Sequence, residues 1–253
     1  MRIALLSDIH GNDIALNAVL ADVIAQGGAD AYWILGDLVA LGPRPIQVLE
    51  ILAPLPNARF IRGNTDRYVA FGDRPPPSLD EVRNNPQLLN SLVEVANTFA
   101  WTQGMVTAAG WMEWLRNLPL EMTSTLPDGT RFLGVHSSPG RDDGRGILPD
   151  MKPAEISELV ASCNADLVCV GHTHRPSDQR TSGVHIINLG AVSLSLAEDK
   201  CSSYVLLQAR QDGCQVQHRL VPYDRSAVID QLNKIGHPAR SYLIKHFSNE
   251  NAI

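Results

Sequence analysis

The chain has 253 residues, 44% hydrophobic and 19% charged, with a formal net charge of −6. That length suits one large domain or two small ones with a full core, and the acidic balance argues against broad electrostatic binding to nucleic acid. It leaves a phosphorylated substrate open, because bound cations invert the local field. No apolar run approaches the length that spans a membrane. The apolar start at 3–6 is too short for a signal segment and is interrupted by Asp8. Cys163, Cys169, Cys201 and Cys214 show no C-x-x-C spacing, and the first two fall in apolar-patterned segments. A free cysteine there behaves as a small hydrophobe, which points to a reducing, cytoplasmic compartment.

The run at 3–6 reads as a strand, and it ends on Asp8 and His10, two good metal-ligand types one residue apart. In an open α/β sheet, ligands gather at this end of a strand. Asn12 suits an N-cap, after which Leu16, Val19, Leu20, Val23 and Ile24 repeat at helical spacing until Gly27-Gly28. Residues 31–35 form a second short apolar run ending on Gly36-Asp37, and Pro45 opens a helix reaching about Leu52. A third strand at 58–61 ends on Arg62-Gly63-Asn64-Thr65-Asp66. Strand, helix, strand, helix, strand predicts a βαβαβ unit with right-handed crossovers.

The texture changes at Pro75-Pro76-Pro77, an extended or turning segment. From about 79 to 118 the pattern is helical, which predicts an insertion at about 72–120 packed beside the sheet, with its tryptophans in the core. Strands resume at 122–126 and 131–135 around Pro127-Asp128-Gly129, a hairpin signal; the second ends on His136. A helix opens at Pro153, and the unbroken apolar run 167–170, of buried-strand type, ends on Gly171-His172-Thr173-His174. Further strands are expected near 184–189, 203–208 and 215–220, and a helical tail at about 226–253. Two β-rich halves separated by the insertion predict a single domain over 1–253 with two packed sheets and helices outside.

Five strand ends thus carry Asp8, His10, Asp37, Asn64, His136, His172 and His174. Any one of them has an ordinary reading. Asp37 after a glycine suits a turn, Asn64 suits a left-handed strand end, and His136 suits a core position. Together they are oxygen and imidazole donors with no thiolate, a set suited to Mn, Fe, Zn or Ni. Seven donors are too many for one tetrahedral ion and suit two that share a carboxylate. Two such ions roughly 3.5–4 Å apart clamp an in-line displacement at phosphorus and acidify a bridging water to hydroxide.

The order D-x-H, G-D, G-N, strand-end His and G-H-x-H resembles the calcineurin-like metallophosphoesterases. It stands here as Asp8-Ile9-His10, Gly36-Asp37, Gly63-Asn64, Val135-His136 and Gly171-His172-Thr173-His174. The segments at 7–12 and 42–45 resemble the small bacterial and archaeal branch that includes YfcE-type phosphodiesterases. The resemblance covers about residues 1–68 and 130–195. It implies an α/β (α+β) fold, a four-layer αββα sandwich of two mixed sheets flanked by helices. It also implies two divalent ions, manganese foremost: one held by Asp8, His10 and His174, the other by Asn64, His136 and His172, with Asp37 bridging.

Two stretches depart from that pattern. Thr65 stands where many members have a histidine that steadies or protonates the transferring group, and a threonine hydroxyl is a poor acid. This favours phosphodiesters or activated leaving groups. Asp66, freed from orienting a histidine, is expected either to pair with Arg62 or Arg67 or to be a plain loop carboxylate. Asn188-Leu189-Gly190-Ala191 replaces the usual Asn-Pro-Gly-Ser. Asn64 and Arg175 are candidate substrate contacts, as are Arg141 and Arg145 in the loop after His136. His185, His218, His237 and His246 read as structural or surface residues.

The reading is therefore a dinuclear phosphoesterase acting on a small phosphorylated, nucleotide-like substrate, with no stable nucleic-acid or membrane partner. Alternatives on the same site are a protein serine/threonine phosphatase or a phosphomonoesterase. A repair-type nuclease is disfavoured by the acidic chain. A scaffold resembling the retromer subunits of this family is disfavoured by the complete donor set.

Overall fold

The computed structural model describes residues 1–248; the end of the expected C-terminal helical tail, 249–253, lies outside the described residues. The first sheet contains β1 (Arg2–Leu6), β2 (Ala31–Leu35) and β3 (Arg59–Ile61) in parallel, extended by the antiparallel β9 (Ser202–Arg210) and β10 (Gly213–Val221), in the order β10-β9-β1-β2-β3. The second contains β4 (Glu121–Thr125), β5 (Arg131–Val135), β6 (Leu167–Val170), β7 (Ser177–Thr181) and β8 (Val184–Asn188), in the order β4-β5-β6-β8-β7. There β5, β6 and β8 run parallel, and β4 and β7 are antiparallel edges.

Alternation along the strands makes the layers. In β1, Ile3 and Leu5 face the second sheet, while Ala4 and Leu6 face the helices. In β6, Leu167 and Cys169 join the inter-sheet core, while Val168 and Val170 pack under a helix. Trp33 and Phe132 meet edge-to-face between the sheets, centroids 4.7 Å apart. Strands buried on both faces need apolar residues on both, which is why these runs are unbroken.

Outside the first sheet lie α1 (Asp13–Ala25), α2 (Pro45–Leu52), α3 (Asn64–Phe71), α5 (Leu89–Ala108) and α6 (Met112–Arg116), with α4 (Leu79–Asn84) between α3 and α5. Outside the second lies α7 (Pro153–Val160). The architecture is thus the expected four-layer sandwich. The Asn12 side chain caps α1 by accepting from the Ala15 amide at 3.0 Å, and Pro45 opens α2. Two elements differ from expectation. Asn64 follows β3 and begins α3, a helix not expected from the sequence pattern. The polar edge strand β7 has no apolar pattern, because alternate side chains face solvent. At the C-terminus, α8 (Arg225–Lys234) and α9 (Arg240–Phe247) bury Val228, Leu232, Leu243 and Phe247 in a separate cluster with Leu194.

Candidate metal centre

The parallel strands of both sheets deliver their carboxyl ends to one place. Asp8 and His10 follow β1, Asp37 follows β2, Asn64 follows β3, His136 follows β5, and His172 and His174 follow β6. The loops are stitched together through the backbone: the amides of Ile9 and His10 both donate to the Asp37 carbonyl at 2.9 Å, and Gly171 donates to the His136 carbonyl at 2.9 Å. Asp8, His10, Asp37, His172 and His174 all have φ between +51° and +68°. Each such left-handed non-glycine residue costs on the order of 1–3 kcal/mol, so the surrounding fold holds these side chains in a conformation they would not choose alone.

The glycines of the motifs have a steric reason. A Cβ on Gly63 would collide with the Asp37 amide and carboxylate, and one on Gly171 would collide with Ser7 and the Asp8 carboxylate.

Hydrogen bonds assign the tautomers. His10 Nδ1 lies 3.1 Å from the Ala40 carbonyl, His136 Nδ1 2.7 Å from that of Leu35, and His174 Nδ1 2.8 Å from that of Leu194. A carbonyl only accepts, so each Nδ1 carries a proton and each Nε2 is the nitrogen left to face the centre. His172 is reversed: its Nε2 donates to the Gly144 carbonyl at 2.8 Å, leaving the Nδ1 lone pair toward the centre.

Those ring nitrogens face one another and the side-chain oxygens. His10 Nε2 and His174 Nε2 are 3.1 Å apart, and Asn64 Oδ1 lies 3.2 Å from His136 Nε2 and 3.0 Å from His172 Nδ1. Asp37 Oδ2 sits 3.7 Å from His10 Nε2 and 3.5 Å from His136 Nε2, between the two groups. Asp8 Oδ1 is buried with no hydrogen-bond partner and lies 3.2 Å from His174 Nε2. Acceptors crowded against acceptors are repulsive unless a cation sits among them, so the donor set fits divalent metal. The ligand atoms of Asp8, His10 and His174 lie within 4.8 Å of one another, as do those of Asp8, Asp37 and His136.

Electrostatics agree. Burial pushes the Asp8 and Asp37 carboxyls up, but it is outweighed by His174 and His136 at Asp8, held at about 2, and by His136 and His10 at Asp37, held well below the carboxylate range. At His136, burial is outweighed by Asp37 and Asp8, which raise it to about 10, so this end of the cluster demands positive charge. His10 is pushed down to about 4, chiefly by burial.

The remaining sequence candidates fall into place around this core. Thr65 donates its amide to Asp37 Oδ1 at 2.9 Å, while its own hydroxyl is buried without a partner. Asp66 pairs with neither arginine. It accepts from the amides of Leu38 and Gly63, both at 2.9 Å, and burial with the nearby Asp37 pushes it up to about 7. Arg62 and Arg67 bind Asp142 instead, at 2.8 and 3.2 Å, and Arg67 also reaches Asp143 at 2.9 Å. The acidic pair comes from the loop after β5, about 75 residues away in sequence, which is why proximity to Asp66 misled. Arg145 pairs with Glu155 at 3.0 Å, and Arg141 and Arg175 are exposed.

His185, His218 and His237 have structural partners: Asp178, the Asn188 carbonyl and the Trp101 ring. His246 is half-buried and packs against the Tyr242 ring. It lines a cavity of about 250 Å³ together with His172 and His174. Burial pushes its pKa down. Asn188, in the altered Asn-Leu-Gly-Ala segment, donates to the Gly171 carbonyl at 3.1 Å and Thr173 Oγ1 at 2.9 Å, steadying the G-H-x-H loop.

Residues 1–176 match the calcineurin-like phosphoesterase family. The chain belongs to that family. It is accordingly a phosphoester hydrolase, from a metal-dependent family. An uncharacterized protein of Methanocaldococcus jannaschii is 30% identical over 198 residues, covering 78% of this chain and 72% of that relative. The symmetrical bis(5′-nucleosyl)-tetraphosphatase of Pectobacterium carotovorum is 40% identical over 70 residues, 27% of this chain and 25% of that enzyme. The chain thus spans about a quarter of the tetraphosphatase it matches.

Among solved structures, a hypothetical protein from Pyrococcus horikoshii superposes with a TM-score of 0.80 at 22% identity, covering 97% of both chains. A metallophosphoesterase from Sphaerobacter thermophilus gives 0.75 at 26% identity, covering 98% of both. These matches run through the helical segments that carry no motif.

Proposed function

We propose that this family member is a dinuclear phosphodiesterase or phosphoanhydride hydrolase for small, nucleotide-like substrates. The observation that carries the reading is the convergence of Asp8, His10, Asp37, Asn64, His136, His172 and His174 with their ligand-type nitrogen and oxygen atoms facing one another. Asp8, His10 and His174 would hold one ion and Asn64, His136 and His172 the other, with Asp37 Oδ2 between them. The oxygen and imidazole donors favour manganese over thiolate-selected metals. Bound there, two divalent ions supply Lewis acidity to the phosphoryl oxygens and acidify a water for in-line attack.

The protein's own part is positioning. Carbonyls of Ala40, Leu35, Leu194 and Gly144 orient the four imidazoles, and the Thr65 amide and Asp66 fix the loop around Asp37. The Thr65 hydroxyl is enclosed and too weak an acid to protonate an alkoxide. A substrate with a good leaving group, a diester or an anhydride, needs no such acid. The sequence similarity to a tetraphosphatase supports a nucleotide-like substrate of this class. The acidic chain is read as having no stable nucleic-acid partner. Four unpaired cysteines fit a reducing compartment, and the protein is assigned to the cytoplasm.

The test is hydrolysis of bis-p-nitrophenyl phosphate and p-nitrophenyl phosphate by metal-stripped protein resupplied with Mn²⁺. Faster turnover of the diester is expected, lost in Asp37→Asn by more than the roughly 100-fold that changes around a ligand cost. Preference for the monoester would remove the diesterase reading.

A further inference from the structure

The cavity beside the metal centre is built by the segment furthest from it in sequence. His172 and His174 form one side, and Leu194, Leu196 and Leu243 supply an apolar wall. Tyr242 and His246 close it. They stand four residues apart on α9, on one helical face, with ring centroids 5.1 Å apart at 76°. The wall is fixed to the centre by a short chain of contacts. Leu243 and Phe247, both fully buried, pack with Leu194, whose carbonyl accepts from His174 Nδ1 at 2.8 Å.

We propose that this cavity is the subsite for a planar aromatic substituent, a nucleobase or an aryl group, on the phosphoester whose phosphoryl group lies at the metal centre. Tyr242 and His246 are its specificity-determining residues. The inference rests on the phosphoesterase reading above. Three observations carry it. The cavity is lined by two of the seven candidate ligand residues, His172 and His174, so a group held there lies beside the centre. Its wall is leucine, which rejects charge and accepts a flat apolar face, and its two rings offer edge-to-face and stacked contacts. At about 250 Å³ it falls below the roughly 300–1,000 Å³ of sites that enclose a whole drug-sized ligand, so it takes one ring system.

The test is calorimetric binding to the Mn²⁺-loaded, full-length protein. Phenylphosphonate is paired with methylphosphonate, and adenosine 5′-monophosphate with ribose 5-phosphate. Two aromatic contacts should favour the ring-bearing member of at least one pair by about tenfold; the pair that shows it separates aryl from nucleobase. In Tyr242→Ala/His246→Ala the ratio should fall below about twofold. No preference in the wild type, or a preference that survives in the double variant, overturns the proposal. Because Tyr242 also packs against its neighbours, Leu196→Trp is a second probe: Leu196 is 53% exposed, and the larger side chain fills the cavity without entering the core. Loss of the preference there supports the subsite, and its retention overturns it. If Mn²⁺ binds but no ring preference exists, only this inference falls. If Mn²⁺ itself does not bind, the metal reading falls first and takes the subsite with it.

Discussion

The helical segment at 79–118 and the helix pair at 225–247 look alike in sequence: apolar residues at helical spacing, no motif, and no ligand type at a strand end. Their surroundings differ. Helix α5 lays Val95, Phe99 and Val106 on the core beside the first sheet, where Phe99 meets Tyr68 edge-to-face at 5.6 Å. Helix α9 lays Leu243 and Phe247 on Leu194, a residue whose carbonyl orients His174. The cavity beside His172 and His174 is lined by α9 and by no residue of the 79–118 segment. A helix acquires a role at the centre through the strand-end loop it rests on, and its own composition does not announce that.

Removing the Phe99 ring is the strongest way to separate the two regions. Phe99→Ala should cost about 3–5 kcal/mol of stability, read from denaturant midpoints, while the ring preference measured with the phosphonate pair persists. Loss of that preference in a folded Phe99→Ala protein would mean that α5 shapes the cavity after all.

Helix α3 lies between the centre and the 79–118 segment, beginning at Asn64 and carrying Arg67. Arg67 holds Asp142 and Asp143 in the loop whose Gly144 carbonyl orients His172. Arg67→Ala should therefore weaken Mn²⁺ binding by about 10-fold or more, an effect that truncations confined to α5 should not reproduce.

Proton linkage sharpens the assignment further. Without metal, Asp37 and Asp8 hold His136 at about 10, above its ordinary value, so it carries a second proton at neutral pH. His174 is shifted the same way by Asp8, whereas His10, near 4, carries no extra proton. Metal needs the Nε2 lone pair, so binding must displace these protons. Affinity should rise with pH from 6 to 8, by up to about tenfold per unit for each proton released. Calorimetry in buffers of different ionisation enthalpy would count them, and a flat profile would contradict the assignment.

The smallest effect belongs to α4. The Ser78 hydroxyl accepts from the Glu81 amide at 3.2 Å, and the Glu81 carboxylate accepts from the Ser78 amide at 2.6 Å. Ser78→Ala should cost about 1 kcal/mol, confined to α4. Hydrogen exchange at 79–84 should quicken while metal affinity stays constant.

Much of this was legible in the sequence, for identifiable reasons. Apolar runs at 3–6, 31–35 and 167–170 show because strands buried on both faces cannot include polar residues. The glycines before Asp37, Asn64 and His172 show because a neighbouring backbone or side chain fills the place of a Cβ there. What stayed hidden depends on three-dimensional neighbours. The partners of Arg62 and Arg67 lie on a loop about 75 residues away, β7 is an edge strand with a polar face, and Asp66 binds amides whose proximity no spacing reveals. His246 had no signal at all, since its place is set by α9 docking on Leu194.

The most direct test of the two-ion centre is metal stoichiometry, measured by mass spectrometry and titration on wild type, His10→Ala and Asn64→Ala. Two Mn²⁺ per wild-type chain are expected, with His10→Ala and Asn64→Ala each losing or weakening a different one. A single ion per chain, bound equally well when Asn64 is replaced, would contradict it.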